Sequence, residues 1–391
     1  MACDVLKFLD ASPRSLFDGD GQAEPTTGAA DEDVFLSFLS SLVLLNMCND
    51  VTSDGDGPTI KAIHEYLEAR KFLLASLREL SDIPEGVSEI EAASSRLETT
   101  LLVSLCSADV ETCQTVTACI GLFFEENSLV DVASDAAKGF ATLLRNGEVY
   151  GEIASRAFRF TGLVAFQKRV RGLLRRLQYP TSGILSAWEY GFERWLLLSR
   201  EVSMAPVDAV DERTLTEWRN YSGFLASLGG ICTANQAIIL EEPTLGVLRW
   251  IDRLPSENHE EPLLGRYLKL SIQLLGCASV RIREATREVL SSEVSSTLYQ
   301  SLFKALESEL EVLFTGALAP SDKAQDVEII FAEQAISLLK ALVERLESPS
   351  DLGAASAIHL GALALNFAKF LDGVSDSTNT LRVKIKLGRS S

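Results

Sequence analysis

Histidine is almost missing. The 391 residues carry three, His64, His259 and His359, standing far apart. None has Cys, Asp or Glu neighbours at metal-ligand spacing. The nearest thing to a cluster, His64 with Glu65 and Glu68, lacks the second histidine of an HExxH pattern because residue 68 is Glu. An exposed helical face accounts for it. The seven cysteines (Cys3, Cys48, Cys106, Cys113, Cys119, Cys232, Cys277) are an odd number and form no CxxC pair. Cys106, Cys113 and Cys119 are spaced to fall on one buried side of consecutive helical turns, whereas a zinc site normally shows a tight pair. Reduced thiols in a cytosolic protein are therefore expected, with no metal and no cofactor.

Other absences narrow the chemistry further. There is no GxxxxGK[ST] loop, no GxGxxG between strand and helix and no GxSxG elbow. Two acidic, Gly-containing stretches fail as calcium loops. Counting from Asp50 puts Lys61 where a bidentate Glu is required, and counting from Asp18 puts Ala23 at the turn glycine. No catalytic site is expected in this chain. The most apolar run, 34–48, is about 15 residues with three serines inside it, short of the roughly 20 a membrane-spanning helix needs. Asp4 and Lys7 interrupt any leader-like apolar run at the start. A formal net charge of −19 repels nucleic acid and anionic membrane, so contact with either requires a local patch.

What is present favours helix. Apolar residues make up 47% and aromatics only 7%, and Leu, Ala, Ser and Glu recur throughout, while strand-formers are concentrated nowhere. Residues 18–33 are polar, Gly-rich and acidic, and read as a disordered linker after a short amphipathic lead. A second break runs over 49–58. Beyond it, helical stretches alternate with brief interruptions at 82–86, 179–183, 206–211, 255–262, 320–326 and 349–353, the usual length for helix–helix connections. Apolar stripes are legible on single faces: Ile329, Ala332, Ile336, Leu339, Val343 and Leu346; Leu215, Trp218, Tyr221, Leu225, Leu228 and Cys232; Tyr299, Leu302, Leu306, Leu310 and Leu313. Thr214 and Glu217 read as a capping box ahead of the second stripe, and Gly229-Gly230 as its left-handed stop. No strict period emerges. Many amphipathic helices joined by short loops suit an all-α, HEAT/armadillo-like solenoid of stacked antiparallel helix pairs. A compact bundle is the alternative, and nearly four hundred residues would strain a single core.

One stretch runs against the overall charge. Between Arg156 and Arg176 there are seven basic residues and no acidic one. On a helical wheel Leu163, Phe166, Val170, Leu173, Leu174 and Leu177 form one side, and Lys168, Arg169, Arg171, Arg175 and Arg176 spread over the other. Such a face can dock on anionic lipid or an acidic partner. The simpler reading is a solvated face, or one that neutralises acidic helices beside it.

Three blocks in order resemble the helical region upstream of the GTPase-activating domain in the neurofibromin family. The first is 165–188, AFQKRVRGLLRRLQYPTSGILSAW. The second is 214–235, TLTEWRNYSGFLASLGGICTAN, carrying Trp218, Gly223, Phe224, Leu225, Ala226, Leu228, Gly229, Gly230 and Cys232. The third is 280–314, with Arg283, Leu298, Tyr299, Leu302, Phe303 and Leu306. A weaker likeness continues through 331–340 and from Leu352 to about Leu387, so that roughly residues 95–387 are covered. The low-complexity start suits a fungal-type relative.

The resemblance implies a solenoid belonging to a protein that switches Ras off. In that family a separate helical domain supplies an arginine finger that stabilises charge during GTP hydrolysis. That domain follows the matched segment, and its FLR-type signature is nowhere in this sequence. No catalytic residue carries over, and any link to Ras is indirect, through a domain absent from this chain.

The expected organisation is an amphipathic lead and acidic linker over 1–33, a helical solenoid over 34–378 and a basic tail over 379–391. The abrupt Gly388-Arg389-Ser390-Ser391 fits either a shortened reading of the gene or a natural short form. The resemblance further implies protein–protein contacts and a homodimer through the solenoid; the expected location is cytoplasmic, with any peripheral membrane contact made through the basic face. The rival reading is a free-standing helical adaptor that docks an acidic membrane or protein through Lys168, Arg169, Arg171, Arg175 and Arg176.

Overall fold

The computed structural model describes residues 28–49, 57–71, 84–129, 146–155, 162–204, 210–231, 263–315, 322–346, 359–374 and 378–388. Among these residues lie fourteen α-helices and no strand, as the composition and periodicity lead one to expect. They divide into two compact units, the boundary falling between Gly191 and Phe192 inside one helix. The first unit holds α1 (Gly28–Asn49), α2 (Gly57–Arg70), α3 (Pro84–Ser104), α4 (Val110–Leu129), α5 (Gly147–Ala154), α6 (Leu163–Leu174) and the first part of α7 (Ser182–Met204). The second holds the rest of α7, then α8 (Glu212–Leu228), α9 (Leu263–Gln273), α10 (Val280–Ser292), α11 (Tyr299–Thr315), α12 (Asp322–Val343), α13 (Leu360–Asp372) and α14 (Thr378–Gly388).

The acidic stretch 18–33 is helical from Gly28 onward, as the first turns of α1, and α14 takes up most of the basic tail. Residues 1–27, the 50–56 and Asp18 calcium registers, the 255–262 and 349–353 interruptions, Cys3, Cys232, His259 and the last three residues lie outside the described residues.

Packing runs between helices that are close in chain order. In the first unit α1 packs on α2 and α3, α4 on α2, α3 and α5, and α5 on α6. In the second, α10 packs on α8, α9 and α12, α11 on α9 and α13, and α14 on α12 and α13.

Side-chain partners give directions. Lys61 pairs with Glu111 near the starts of α2 and α4, and Arg70 with Glu126 near their ends, so these helices run parallel. Arg287 on α10 reaches Gln334 on α12, and Arg345 beyond α12 reaches the Ser291 carbonyl late in α10, which is again parallel. Trp195 on α7 donates its indole N–H to Ser222 Oγ on α8 at 2.8 Å, and Trp218 on α8 donates to Ser199 Oγ on α7 at 2.9 Å. That reciprocal pair fixes α7 and α8 as antiparallel. It also satisfies two buried indoles, which burial without a partner would penalise.

α8 shows how sequence builds an element here. Leu215, Trp218, Tyr221, Leu225 and Leu228 are all buried, as their spacing predicts. The start differs from the expected capping box. Asp211, not Thr214, is the N-cap, and its carboxylate accepts from the Thr214 amide at 3.2 Å. Glu217 is consequently a second-turn residue and pairs with Arg194 at 3.0 Å.

The glycines at its end also differ from expectation. Gly229 has φ −57 and ψ −24, a right-handed conformation, and Gly162 is the only described glycine with positive φ. Close packing is what requires them: a methyl group on Gly230 would lie 2.5 Å from Ser295 Cβ, and one on Gly229 3.2 Å from Leu298 Cδ1. Gly230→Ala is expected to destabilise the second unit by about 1–3 kcal/mol. Gly230→Ala/Ser295→Gly should recover part of that loss, as read from denaturant midpoints.

The other two stripes divide. Tyr299, Leu302, Leu306, Leu310 and Leu313 are buried in full. On α12, Ile329, Ala332, Ile336 and Leu339 are buried, but Val343 is exposed and Leu346 half-buried. Ala335, Leu338 and Leu342 complete the inward side instead, because α12 packs against both α10 and α14 and needs a face wider than one stripe.

Candidate functional site

The basic helix singled out by sequence is α6. It starts after Gly162, whose φ of 121° is a backbone conformation that glycine reaches without strain. Phe166, Val170 and Leu174 turn inward, followed by Leu177, while Leu163 and Leu173 are only half-buried. The rest of the inward face is polar, made by Gln167 and Arg171. Gln167 explains the rotation. Its side-chain amide donates to the Leu105 carbonyl at 2.6 Å, which lies just past the end of α3 where helical carbonyls lack intrahelical donors.

The five candidate residues therefore do not share one surface. Lys168 and Arg176 are exposed, Arg169 and Arg175 half-buried, and Arg171 buried. Arg176 is engaged by two carboxylates of α5: its Nη1 lies 2.7 Å from Glu152 and its Nη2 3.0 Å from Glu148. That is neutralisation of a neighbouring acidic helix, one of the roles its sequence allows. These ion pairs are solvent-exposed, so their contribution to stability is small.

The most concentrated polar chemistry lies elsewhere in the first unit, at two sites that sequence reasoning missed. Glu98 on α3 is fully enclosed. Its carboxylate accepts from the Tyr150 hydroxyl on α5 and from the Thr181 hydroxyl at 2.5 Å. Thr181 in turn accepts from the Ile184 amide at 3.1 Å, serving as the cap of α7. Burial pushes the Glu98 carboxyl up to about 7, against the opposing pull of the two hydroxyls. Burial likewise raises the Tyr150 hydroxyl, reinforced by the adjacent Glu98. The second site joins α2 to α4 and α1. Arg70 and Glu126, 1% and 8% exposed, lie 2.7 Å apart, and Arg70 also donates to Ser41 at 2.9 Å.

The thiols Cys48, Cys106, Cys113 and Cys119 form no disulfide and are buried, as the spacing of the last three predicts. Burial pushes the thiols of Cys48, Cys113 and Cys119 up to about 12, so they stay protonated and unreactive at neutral pH. His64 is half-buried on α2, and Glu65 and Glu68 beside it are exposed. No group of three His, Cys, Asp or Glu side chains among the described residues could hold a metal ion. No helix among them is long and apolar enough to cross a membrane.

Among the described residues these features define an all-helical fold in which buried polar groups join helices distant in the chain. Over 205 residues, 52% of its length, the chain is 24% identical to the Inhibitory regulator protein IRA2 of Saccharomyces cerevisiae. The match takes in 6% of that protein's length. No family model matches the chain.

Proposed function

We propose that this chain is a non-catalytic scaffold segment of a neurofibromin-like negative regulator of Ras, acting in the cytoplasm. Its role is to position a GTPase-activating domain that the chain itself does not contain. The observation that carries this reading is the 205-residue similarity to a protein named as an inhibitory regulator, which agrees with the three neurofibromin-like blocks.

The packing supports the mechanical side. Antiparallel neighbours, as in α7 and α8, and parallel second neighbours, as in α2 and α4 or α10 and α12, are what stacked helix pairs of the HEAT/armadillo kind produce. In such a stack the outer faces are surfaces for partners, including a second copy of the chain. Docking of anionic membrane through α6 is the weaker reading, because Arg171 is buried and Arg176 already faces Glu148 and Glu152.

Single-turnover GTP hydrolysis by Ras tests the assignment. Adding the chain should leave the rate at its intrinsic value, whereas an arginine-finger domain accelerates it by roughly 10⁵-fold. A tenfold acceleration by this chain alone would overturn the non-catalytic reading. Transcript sequence read past the codon for Ser391 tests the context, the expected result being continuation into an arginine-finger domain.

A further inference from the structure

The second unit carries a groove of about 630 Å³ formed by the C-terminal part of α7, α9 with the turn after it, and the start of α12. Trp195, Leu270, Leu274 and Val327 give it an apolar lining, and Arg200 and Arg266 add two guanidinium groups. No carboxylate is among the described residues that line it, in a chain with 55 acidic and 36 basic residues. Arg266 sits 5.7 Å from the centroid of the Phe192 ring, a contact that holds the guanidinium without neutralising it. Arg200 is exposed, and Met204, at the end of the same helix, is 85% exposed.

We infer that this groove is a docking site for an acidic amphipathic helix of a partner protein. Leucine-type side chains would enter the apolar lining, and flanking carboxylates would meet Arg200 and Arg266. The reasoning is charge complementarity. On so acidic a surface, a concave apolar site whose charged lining groups are all cations is where acidic segments are repelled least and attracted most. The inference stands apart from the Ras assignment, since it uses neither the resemblance nor α6.

Cys277 lines the groove and is half-buried, whereas the other described cysteines are buried, so it serves as a reporter. In a Cys3→Ser/Cys232→Ser background, the rate of Cys277 alkylation is followed with an added peptide of about 16 residues. Leucines sit at i, i+3, i+4 and i+7 of that peptide, and glutamates at the other positions. Slowed alkylation and saturable binding are expected, weakening as salt rises. The same peptide with lysine for glutamate should neither bind nor protect.

Arg200→Glu and Ala278→Glu alter exposed positions on the rim and should each weaken binding about tenfold, with the helical circular dichroism unchanged. Equal binding of the lysine peptide, or no protection of Cys277, would overturn the inference. So would self-association of the chain that protects Cys277 without peptide, because the occupant would then be a second copy.

Discussion

Arg70→Ala is expected to destabilise the first unit by about 3–5 kcal/mol, the largest single-site loss anticipated in the described chain. Arg70 and Glu126 are both withdrawn from water and in contact. Removing the guanidinium leaves the Glu126 carboxylate with no cation in its enclosure. Even with Arg70 present, burial outweighs the attraction and holds the Glu126 carboxyl above its ordinary range. In the variant that carboxyl should take up a proton, so the loss should shrink as pH falls.

Replacing both partners is a different experiment. Arg70→Met/Glu126→Leu keeps the volume and removes both desolvation costs, and should be within about 1 kcal/mol of the parent. Denaturant midpoints for the unit, compared across single and double replacements, separate the two cases. A single replacement costing under 1 kcal/mol would mean that water reaches the pair.

This pair was invisible in the sequence for a physical reason. Arg70 and Glu126 sit in helices whose exposed faces are also charged. Lys61 on α2 and Lys71 just past its end make solvent-exposed pairs with Glu111 and Glu125 on α4. Periodicity separates apolar from polar faces, but it does not say which charged residue on a boundary will be covered when another helix arrives. Arg171 is the same case: the wheel placed it outside, and the inward tilt demanded by Gln167 and the Leu105 carbonyl placed it inside. Where apolar residues alone decide the face, as at Leu302, Leu306 and Leu310 or at Trp218 and Leu225, spacing sufficed.

Local chemistry was legible in kind more than in detail. Two glycines together promised the end of α8, and they are there, but the space taken by Ser295 requires them, not a left-handed backbone. A hydroxyl near the start of α8 promised a cap, and Asp211, three residues earlier, provides it. The Glu98 cluster joins residues 52 and 83 positions away in the chain. No spacing rule within one helix could have gathered them. Nothing in the run around Glu98, flanked by Ser95, Thr99 and Thr100, marks one carboxylate among many as buried.

Glu98→Gln should abolish a pH dependence of stability that the parent shows between pH about 4.5 and 7. In the folded chain the carboxyl sits at about 7 against an ordinary 4.5. The native state therefore holds this proton more tightly than the unfolded chain does. Stability linked to it is complete below the ordinary value, is lost as pH rises through that window, and is level above it. At about 1.4 kcal/mol per pH unit the loss amounts to about 3 kcal/mol.

Escape to water is closed to the group, because the space beside it is filled. A methyl group on Gly183 would lie 2.3 Å from Glu98 Oε2. Glutamine fits the same hydroxyls, since Tyr150 can accept from its amide as readily as it donates to the carboxylate. The informative quantity is the difference in unfolding free energy between variant and parent, measured from pH 4 to 8, which cancels groups common to both. It should rise in favour of glutamine across the window. Tyr150→Phe removes one of the two hydroxyls that favour the anion and should move the window upward in pH. A difference that stays constant from pH 4 to 8, or that grows in favour of glutamate as pH rises, would show that the carboxyl is not enclosed and that its proton is shared with water.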